Sequence, residues 1–297
     1  MFHKSVLLKE SIEALSIRPD GIYVDATYGG GGHSGEILKH LKGGKLFAFD
    51  QDEDALRNLT QDQQITMIKS NFRYARNFLK LYKAVPVDGI LADLGVSSHQ
   101  IDDPARGFST RYEGDLDMRM DQAKSLSARE IINQYQEGKL IEIFREYGEL
   151  ENAKKIARSI VSARKEKEIS TTADLKAVLG SCSVKGHENK FYAQVFQAIR
   201  IETNQELEAL KALLLQSVDL LKQGGRIVIL SYHSLEDRLV KNFFRSGNFQ
   251  GEIKKDFYGN PILPLRVINR KPIVAGEAEI AENPRARSVR LRIAEKI

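Results

Sequence analysis

The amino-acid sequence predicts an α/β fold: a Rossmann-like core on a largely parallel sheet, with an all-helical domain inserted into it. Apolar strand-like runs alternate with short amphipathic helices through the first 95 residues. A glycine loop, YGGGGHSG, occupies the first strand-to-helix turn, and the alternation then stops for more than a hundred residues before GRIVILS resumes it. Near-continuous apolar strands separated by helices indicate a sheet covered on both faces.

In order, GIYVDA (21–26) is a strand, SGEILKHL (34–41) a helix and KLFAFD (45–50) the second strand. DEDALRNL (52–59) is helical, ITMIK (65–69) is the third strand, RYARNFLKLY (73–82) is helical and VDGILADLG (87–95) is the fourth strand. A crossover between parallel strands takes about 25–40 residues, so the interval before GRIVILS (225–231) holds more than a crossover. Part of it is a crossover helix beginning near Thr203. Thr203 and Glu206 make a capping-box pattern, Leu207, Leu210, Leu214, Val218 and Leu221 share one stripe, and Gly224-Gly225 ends it. The remainder, residues 103–200, is assigned to the inserted helical domain, leaving 1–102 and 201–297 to the core. Its helical spacing runs through LIEIFREYGE (140–149), ENAKKIARSIVSAR (151–164), TTADLKAVLG (171–180) and NKFYAQVFQAIRIE (189–202). SVRLRIAE (288–295) returns as a half-exposed strand, with Val289, Leu291 and Ile293 alternating with arginines.

With 42 % hydrophobic and 29 % charged residues, the 297-residue chain has the composition of a soluble globular protein. No apolar run approaches the ~20 residues of a membrane helix, and MFHKSVLLKESIEAL lacks a signal core and cleavage site, so a cytoplasmic location without membrane partners is expected. The single cysteine, Cys182, excludes an internal disulfide and a thiolate-rich zinc site, and suits a small buried apolar position. The net charge is +5, and from Arg266 to Lys296 eight basic residues face four acidic ones. Such a tail fits a polyanion such as RNA, or equally a solvated basic surface.

The glycine loop asks which ligand it holds. Gly30, Gly32 and Gly35 satisfy G-x-G-x-x-G, and Asp50 follows Gly30 by 20 residues at the end of the second strand, where an acid takes ribose hydroxyls. Nicotinamide cofactors and S-adenosylmethionine match that pattern about equally, whereas a P-loop is excluded because no Gly-Lys-Ser/Thr closes the loop. Three acids tilt the choice to the methyl donor. Asp25 ends the first strand, Asp50 is followed by Asp52, and Asp93 ends the fourth; these suit a cationic sulfonium and repel a pyrophosphate. Asp25 and Asp52 could also serve only as turn or helix caps.

The chemistry narrows by elimination. Cys182 lies in GSCSV rather than in a Pro-Cys pair, no Pro-Cys-x-x-Cys zinc site is present and no G-x-S-x-G elbow occurs. An exocyclic amine remains as a target. Its lone pair is delocalised into the base, so a carboxylate that accepts the N–H helps the nitrogen attack a methyl held in line. Asp93 and the backbone after it are the natural acceptors; a cofactor contact at the same strand end is the competing role of Asp93. The chemistry requires no metal.

VDATYGGGGHSG, FAFDQD, LADLGVSSHQID, RGFS, DLDMRM, FQAIRIETNQEL, SYHSLEDR and ENPRARS together resemble the bacterial ribosomal RNA small subunit methyltransferase H family, also called MraW, from SVLLKE to the last strand. The resemblance implies a class I S-adenosylmethionine-dependent methyltransferase core. It also implies methylation of N4 of one cytidine in the decoding region of small-subunit (16S) rRNA, within the assembled or assembling 30S subunit. Carried over residue by residue, it implies cofactor contacts at Gly31, Gly32 and His33, Asp50 at the ribose, Phe72 against the adenine, and Asp93 and Gln100 completing the pocket. His99 stands where many members have proline, and Thr110 replaces a phenylalanine often found after RGFS. Arg106, Phe108, Arg111, Tyr112, Arg119, Lys154, Lys155 and Arg158 are candidate RNA contacts in the insertion. The alternatives are a DNA cytosine-N4 or adenine-N6 methylase, whose S/D-P-P-Y motif is missing after the fourth strand, and a non-catalytic assembly factor.

Overall fold

The computed structural model describes residues 5–56, 62–183 and 185–297. Helix α1 (Leu8–Leu15) leads into β1 (Ile22–Asp25), α2 (Gly32–His40), β2 (Lys45–Asp50) and α3 (Glu53–Leu56). Strand β3 (Ile65–Lys69), α4 (Ala75–Leu81) and β4 (Val87–Asp93) follow. The middle of the chain is helical: α5 (Ser98–Asp102), α6 (Ala128–Gln134), α7 (Glu137–Glu146), α8 (Ala153–Glu166), α9 (Thr172–Leu179) and α10 (Glu188–Asn204). The last part holds α11 (Glu206–Leu220), β5 (Leu221–Ser231), α12 (Ser234–Ser246), β6 (Leu265–Val267), α13 (Glu277–Glu282) and β7 (Arg290–Lys296). Residues 57–59 of the helix expected over 52–59 lie outside the described residues. Among the described residues no helix is long and apolar enough to cross a membrane.

Two compact units result, one from the residues up to Gly95 with Leu207–Ile297, the other from Val96–Glu206. The sequence divides the chain at 102 and 201 instead. The difference at the second boundary has a visible cause. Asn204, at the end of α10, accepts from the Met120 amide at 2.8 Å and donates to the Met118 carbonyl at 2.8 Å, so the whole helix stays with the helical unit.

In the first unit the sheet runs β3-β2-β1-β4-β5-β7-β6. Strands β1 to β5 pair in parallel, and β7 lies antiparallel to both β5 and β6. Both faces are buried. Ile227 and Ile229 of β5 join Val24, Phe47, Ile90, Leu210 and Phe243 in one core, while Val228 and Leu230 join Leu46, Leu91, Ile12 and Ile37 in the other. This is why the strands read as apolar runs without alternation. The strand order reverses between β1 and β4, which opens a crevice at their carboxyl ends.

Three expectations about single elements change. Thr203 caps nothing: it lies inside α10 with its hydroxyl donating to the Ile199 carbonyl at 2.9 Å. The break falls at Gln205 (φ 53°), after which α11 begins. That helix ends at Leu220, so Gly224 and Gly225 lie within β5. Strand β7 is not half-exposed, because Arg292 is buried against Asp237 of α12.

The second unit has its own core, with Phe144, Ile156, Ile160, Leu175, Val195 and Ile199 among its members. Helix α6, not anticipated, starts at a Ser127–Glu130 capping box. Cys182 is buried there, as expected of a small apolar residue. Three candidate RNA contacts are structural. Arg106 is 2 % exposed and donates to the carbonyls of Arg119 and Met120. Phe108 belongs to the core. Arg119 grips Asp117 with Nε at 2.9 Å and a terminal nitrogen at 2.7 Å, and donates to the Lys124 carbonyl as well. Arg111, Tyr112, Lys154, Lys155 and Arg158 are exposed.

Candidate active site

The glycine loop is stitched to the sheet by its backbone. Ala26 donates to Leu91 O, and Tyr28 to Phe49 O, each at 2.8 Å, so the loop leaves β1 between β2 and β4. The constrained glycines differ from those of the sequence pattern. Gly31 has φ 75°, and a Cβ there would lie 2.7 Å from the Tyr28 hydroxyl; one on Gly32 would lie 2.0 Å from Ser5 Oγ. Side chains at Gly30 and Gly35 would meet nothing within 4 Å. The G-x-G-x-x-G match is therefore partly coincidental: Gly31 and Gly32 are demanded by the chain itself, whereas Gly30 borders open space.

Asp25, Asp50 and Asp93 are the last residues of β1, β2 and β4, three adjacent strands. Asp25 is folded into the loop, accepting from the Thr27 amide at 3.0 Å and the Ser34 hydroxyl at 2.6 Å. It thus acts through its charge and as a brace, not as an open ligand group. Asp50 accepts from the amides of Gly29 and Asp52, each at 2.8 Å, which ties the end of β2 to the glycine loop. Burial pushes its carboxyl up to about 6 against those two hydrogen bonds, and the charges of Asp52 and Asp25 push the same way. Asp25 is likewise raised by burial, with Ser34 and His33 opposing.

Asp93 is positioned by its backbone amide, which donates to Thr27 Oγ1 at 2.7 Å. The Tyr232 hydroxyl donates to its Oδ1 at 2.7 Å, and Oδ2 lies 3.7 Å from His33 Nδ1, beyond hydrogen-bond reach. The carboxyl keeps 23 % of its side-chain surface open. Burial raises its pKa, with His33 and the Tyr232 hydrogen bond opposing and Asp25 adding to the rise. His33 is 3.2 Å from the Val6 carbonyl through Nε2. A carbonyl only accepts, so the His33 tautomer that makes this bond carries its hydrogen on Nε2, with Nδ1 on the side of Asp93. Burial, and next the Asp93 charge, hold the Tyr232 phenol well above its ordinary pKa, so it stays a donor.

Phe72 begins a short 3-10 turn, Phe72–Tyr74, capped by Asn71. Asn71 Nδ2 donates to Gln51 Oε1 at 2.9 Å, joining the loops that follow β3 and β2 and setting half-buried Phe72 in the loop joined to that of Asp50. The first unit thus brings Gly31, Gly32, His33, Asp50, Phe72 and Asp93 to the carboxyl side of its sheet. Gln100 lies in the second unit, where its side chain accepts from the Ser97 amide in a capping box. Tyr232 was missed. It is separated from Asp93 by 139 positions, and its available signal was a polar aromatic at the end of the strand beside β4, inside SYHSLEDR.

One buried carboxyl, Asp25, between two partly buried ones, Asp50 and Asp93, whose pKa values its charge helps to raise, forms a site for a cation. A cationic sulfonium relieves their repulsion, and a pyrophosphate would add to it. The MraW methylase family model matches residues 1–297. The chain belongs to the MraW methylase family. It is a methyltransferase with a Rossmann-like core, and the charge pattern at its strand ends suits S-adenosylmethionine as the methyl donor. A ribosomal RNA small subunit methyltransferase H of Cytophaga hutchinsonii is 56 % identical over 298 residues, covering 100 % of both chains. Its counterpart in Christiangramia forsetii is 54 % identical over 297 residues, covering 100 % of this chain and 98 % of its own. Among solved structures, that of a putative rRNA-methylase from Clostridium thermocellum covers 100 % of both chains at 13 % identity and a TM-score of 0.46. The fold assignment rests on the strand order, not on that likeness.

Proposed function

We propose that this enzyme methylates the exocyclic N4 amine of one cytidine in the decoding region of small-subunit rRNA, within an assembled or assembling 30S subunit. Relatives more than half identical over the whole chain are named as small-subunit rRNA methyltransferases, which supports the substrate class. The observation that supports the target atom is the Asp93 carboxyl. One oxygen is held by Tyr232, the other has no hydrogen-bond donor among the described residues, and the group is buried enough to take up a proton.

Bound S-adenosylmethionine supplies the electrophilic methyl group. Gly31 and Gly32 would let the loop approach its methionine end, Asp50 would accept ribose hydroxyls, Phe72 would pack on the adenine, and His33 would line the pocket beside Asp93. Asp93 Oδ2 accepts an N4–H of the cytidine, which concentrates the lone pair on nitrogen as it attacks in line. A carboxyl of raised pKa then takes the proton that the methylated nitrogen must lose. Arg111 and Tyr112, with Lys154, Lys155 and Arg158, are the exposed groups of the second unit left to contact RNA.

The test supplies methyl-labelled S-adenosylmethionine to the protein with small subunits from cells lacking its gene, followed by nucleoside analysis. Label confined to N4-methylcytidine is expected; label on DNA instead, or none on subunits, would overturn the reading. Asp93→Ala should lower transfer about 10²–10⁴-fold while cofactor affinity stays within a few fold. A parallel loss of cofactor affinity would make Asp93 a cofactor contact.

A further inference from the structure

The segment between α12 and β6 carries an exposed feature that the methyl-transfer site does not use. Phe257 is 97 % exposed and Tyr258 85 %, at the tip of a hairpin-like loop, with Ile253 and Ile262 exposed at its sides. The loop is held by its own hydrogen bonds. Ile262 donates to Lys254 O and Asp256 to Asn260 O, each at 2.8 Å. The Asp256 carboxylate accepts from the amides of Tyr258 (2.9 Å) and Asn260 (2.8 Å), and Gly259 turns the chain at φ 88°. The two rings stand edge to face at 5.5 Å. A turn this closely bonded holds two large aromatics in water, which is unfavourable unless something covers them.

The surrounding charge says what covers them. Lys254 and Lys255 flank the tip, and Lys241 and Arg245 lie exposed on α12, whose Asn242 donates to Phe249 O near the loop's root. Arg270 and Lys271 follow β6. None of these six makes an ion pair with a described residue, and of the two acids in the segment, Glu252 and Asp256, the second is held by the turn. Aromatic faces among unpaired lysines and arginines suit a strand whose phosphates meet the cations while its bases stack on the rings.

We propose that the 253–262 loop is a second RNA contact of this enzyme, its Phe257 and Tyr258 stacking on unpaired bases of the substrate RNA away from the methylated nucleotide. This rests on the rRNA reading above. Both rings are preorganised, so stacking costs little ordering, and the contact would act on RNA affinity rather than on the chemical step.

The experiment measures binding of full-length protein to a labelled single-stranded RNA 12-mer and to undermethylated small subunits, with cofactor affinity and thermal stability as controls. Phe257→Ala with Tyr258→Ala should raise the Kd for both RNAs roughly tenfold or more, leaving cofactor affinity and melting temperature unchanged. Leucine at both positions keeps the apolar area without π-faces and should bind as poorly as alanine; wild-type affinity for the leucine variant would overturn stacking. Lys254→Ala with Lys255→Ala should reduce the salt slope by about 1.4, from ~0.7 per phosphate contact on single strands. If wild-type protein methylates subunits and the alanine variant binds RNA equally well, the loop proposal falls while the function stands. Failure of wild-type protein to bind or methylate RNA would remove both. Loss in the variant of self-association in sedimentation, or of binding to anionic phosphatidylglycerol vesicles, with RNA affinity unchanged, would assign the patch to another occupant.

Discussion

At the end of β4, Asp93 is useful only in the right protonation state, which burial, His33 and then Tyr232 decide between them. The phenol donates to Oδ1 at 2.7 Å and opposes the rise that burial imposes. A hydrogen bond to a charged group contributes about 1.5–3 kcal/mol, and this one favours the carboxylate. Removing it in Tyr232→Phe raises the Asp93 pKa further, so less carboxylate is present at a given pH. The acid limb of the single-turnover rate should move to higher pH, with unchanged cofactor affinity. An acid limb that stays in place would leave Tyr232 as packing alone. Asp93 itself was legible in the sequence, as an acid closing an apolar strand. Tyr232 was not, because only the sheet order puts the ends of β4 and β5 side by side.

Elements were legible where one local force dominates. The strands of the parallel sheet are continuous apolar runs, and KLFAFD and ITMIK coincide with β2 and β3. The misreadings came where long-range contacts decide. Thr203 and Glu206 mimic a cap, but Glu206 receives Arg200 at 2.8 Å and the Thr203 hydroxyl turns back along α10. Helix α12 went unread because its capping box opens on His233, with Glu236 as partner, rather than on serine or threonine. On β7, Arg292 looked exposed because Asp237, 55 positions earlier, cannot be seen beside it. That carboxylate receives Arg292 at 2.6 and 3.1 Å and Arg290 at 2.9 Å. Burial opposes its charge, yet the two arginines, Arg292 foremost, hold its pKa below the usual range. Its stabilisation is therefore present above the unfolded-state pKa and is lost as pH falls through the depressed folded value. Asp237→Ala strands Arg292 in the interior and should cost about 3–5 kcal/mol at neutral pH, read by denaturant unfolding, with the gap to wild type narrowing in acid. Asp237→Leu with Arg292→Met should recover most of that loss; an equally unstable double variant would mean the packing of α12, not the charge pair, was lost.

On the scale of the whole molecule, the chain solves two packing problems of different kinds. The first unit takes its sheet from both ends of the sequence: β4 ends at Asp93 and its neighbour β5 begins at Leu221, so neither segment can complete the core alone. The second unit is continuous. Its hydrophobic cluster draws on α6 to α10, and the bonds of Asn204 to Met118 and Met120 close the end of α10 onto the chain preceding α6. Helices α7 to α10 were legible because their apolar stripes face one another within this stretch, while the unit's boundaries were not, because Asn204 shows its role only when the loop it clamps is in place. Residues 96–206 expressed alone should therefore fold, with the α-helical circular dichroism of helices α5–α10 and a single cooperative melt. For a unit of roughly 110 residues the calorimetric enthalpy near 60 °C should be about 80 kcal/mol. S-adenosylmethionine should leave that melt unmoved, since a ligand stabilises only the state that binds it. A broad, low-enthalpy transition would show that the helical core needs the sheet unit to form, and a cofactor-dependent shift would place part of the donor site, Gln100 foremost, on the fragment itself.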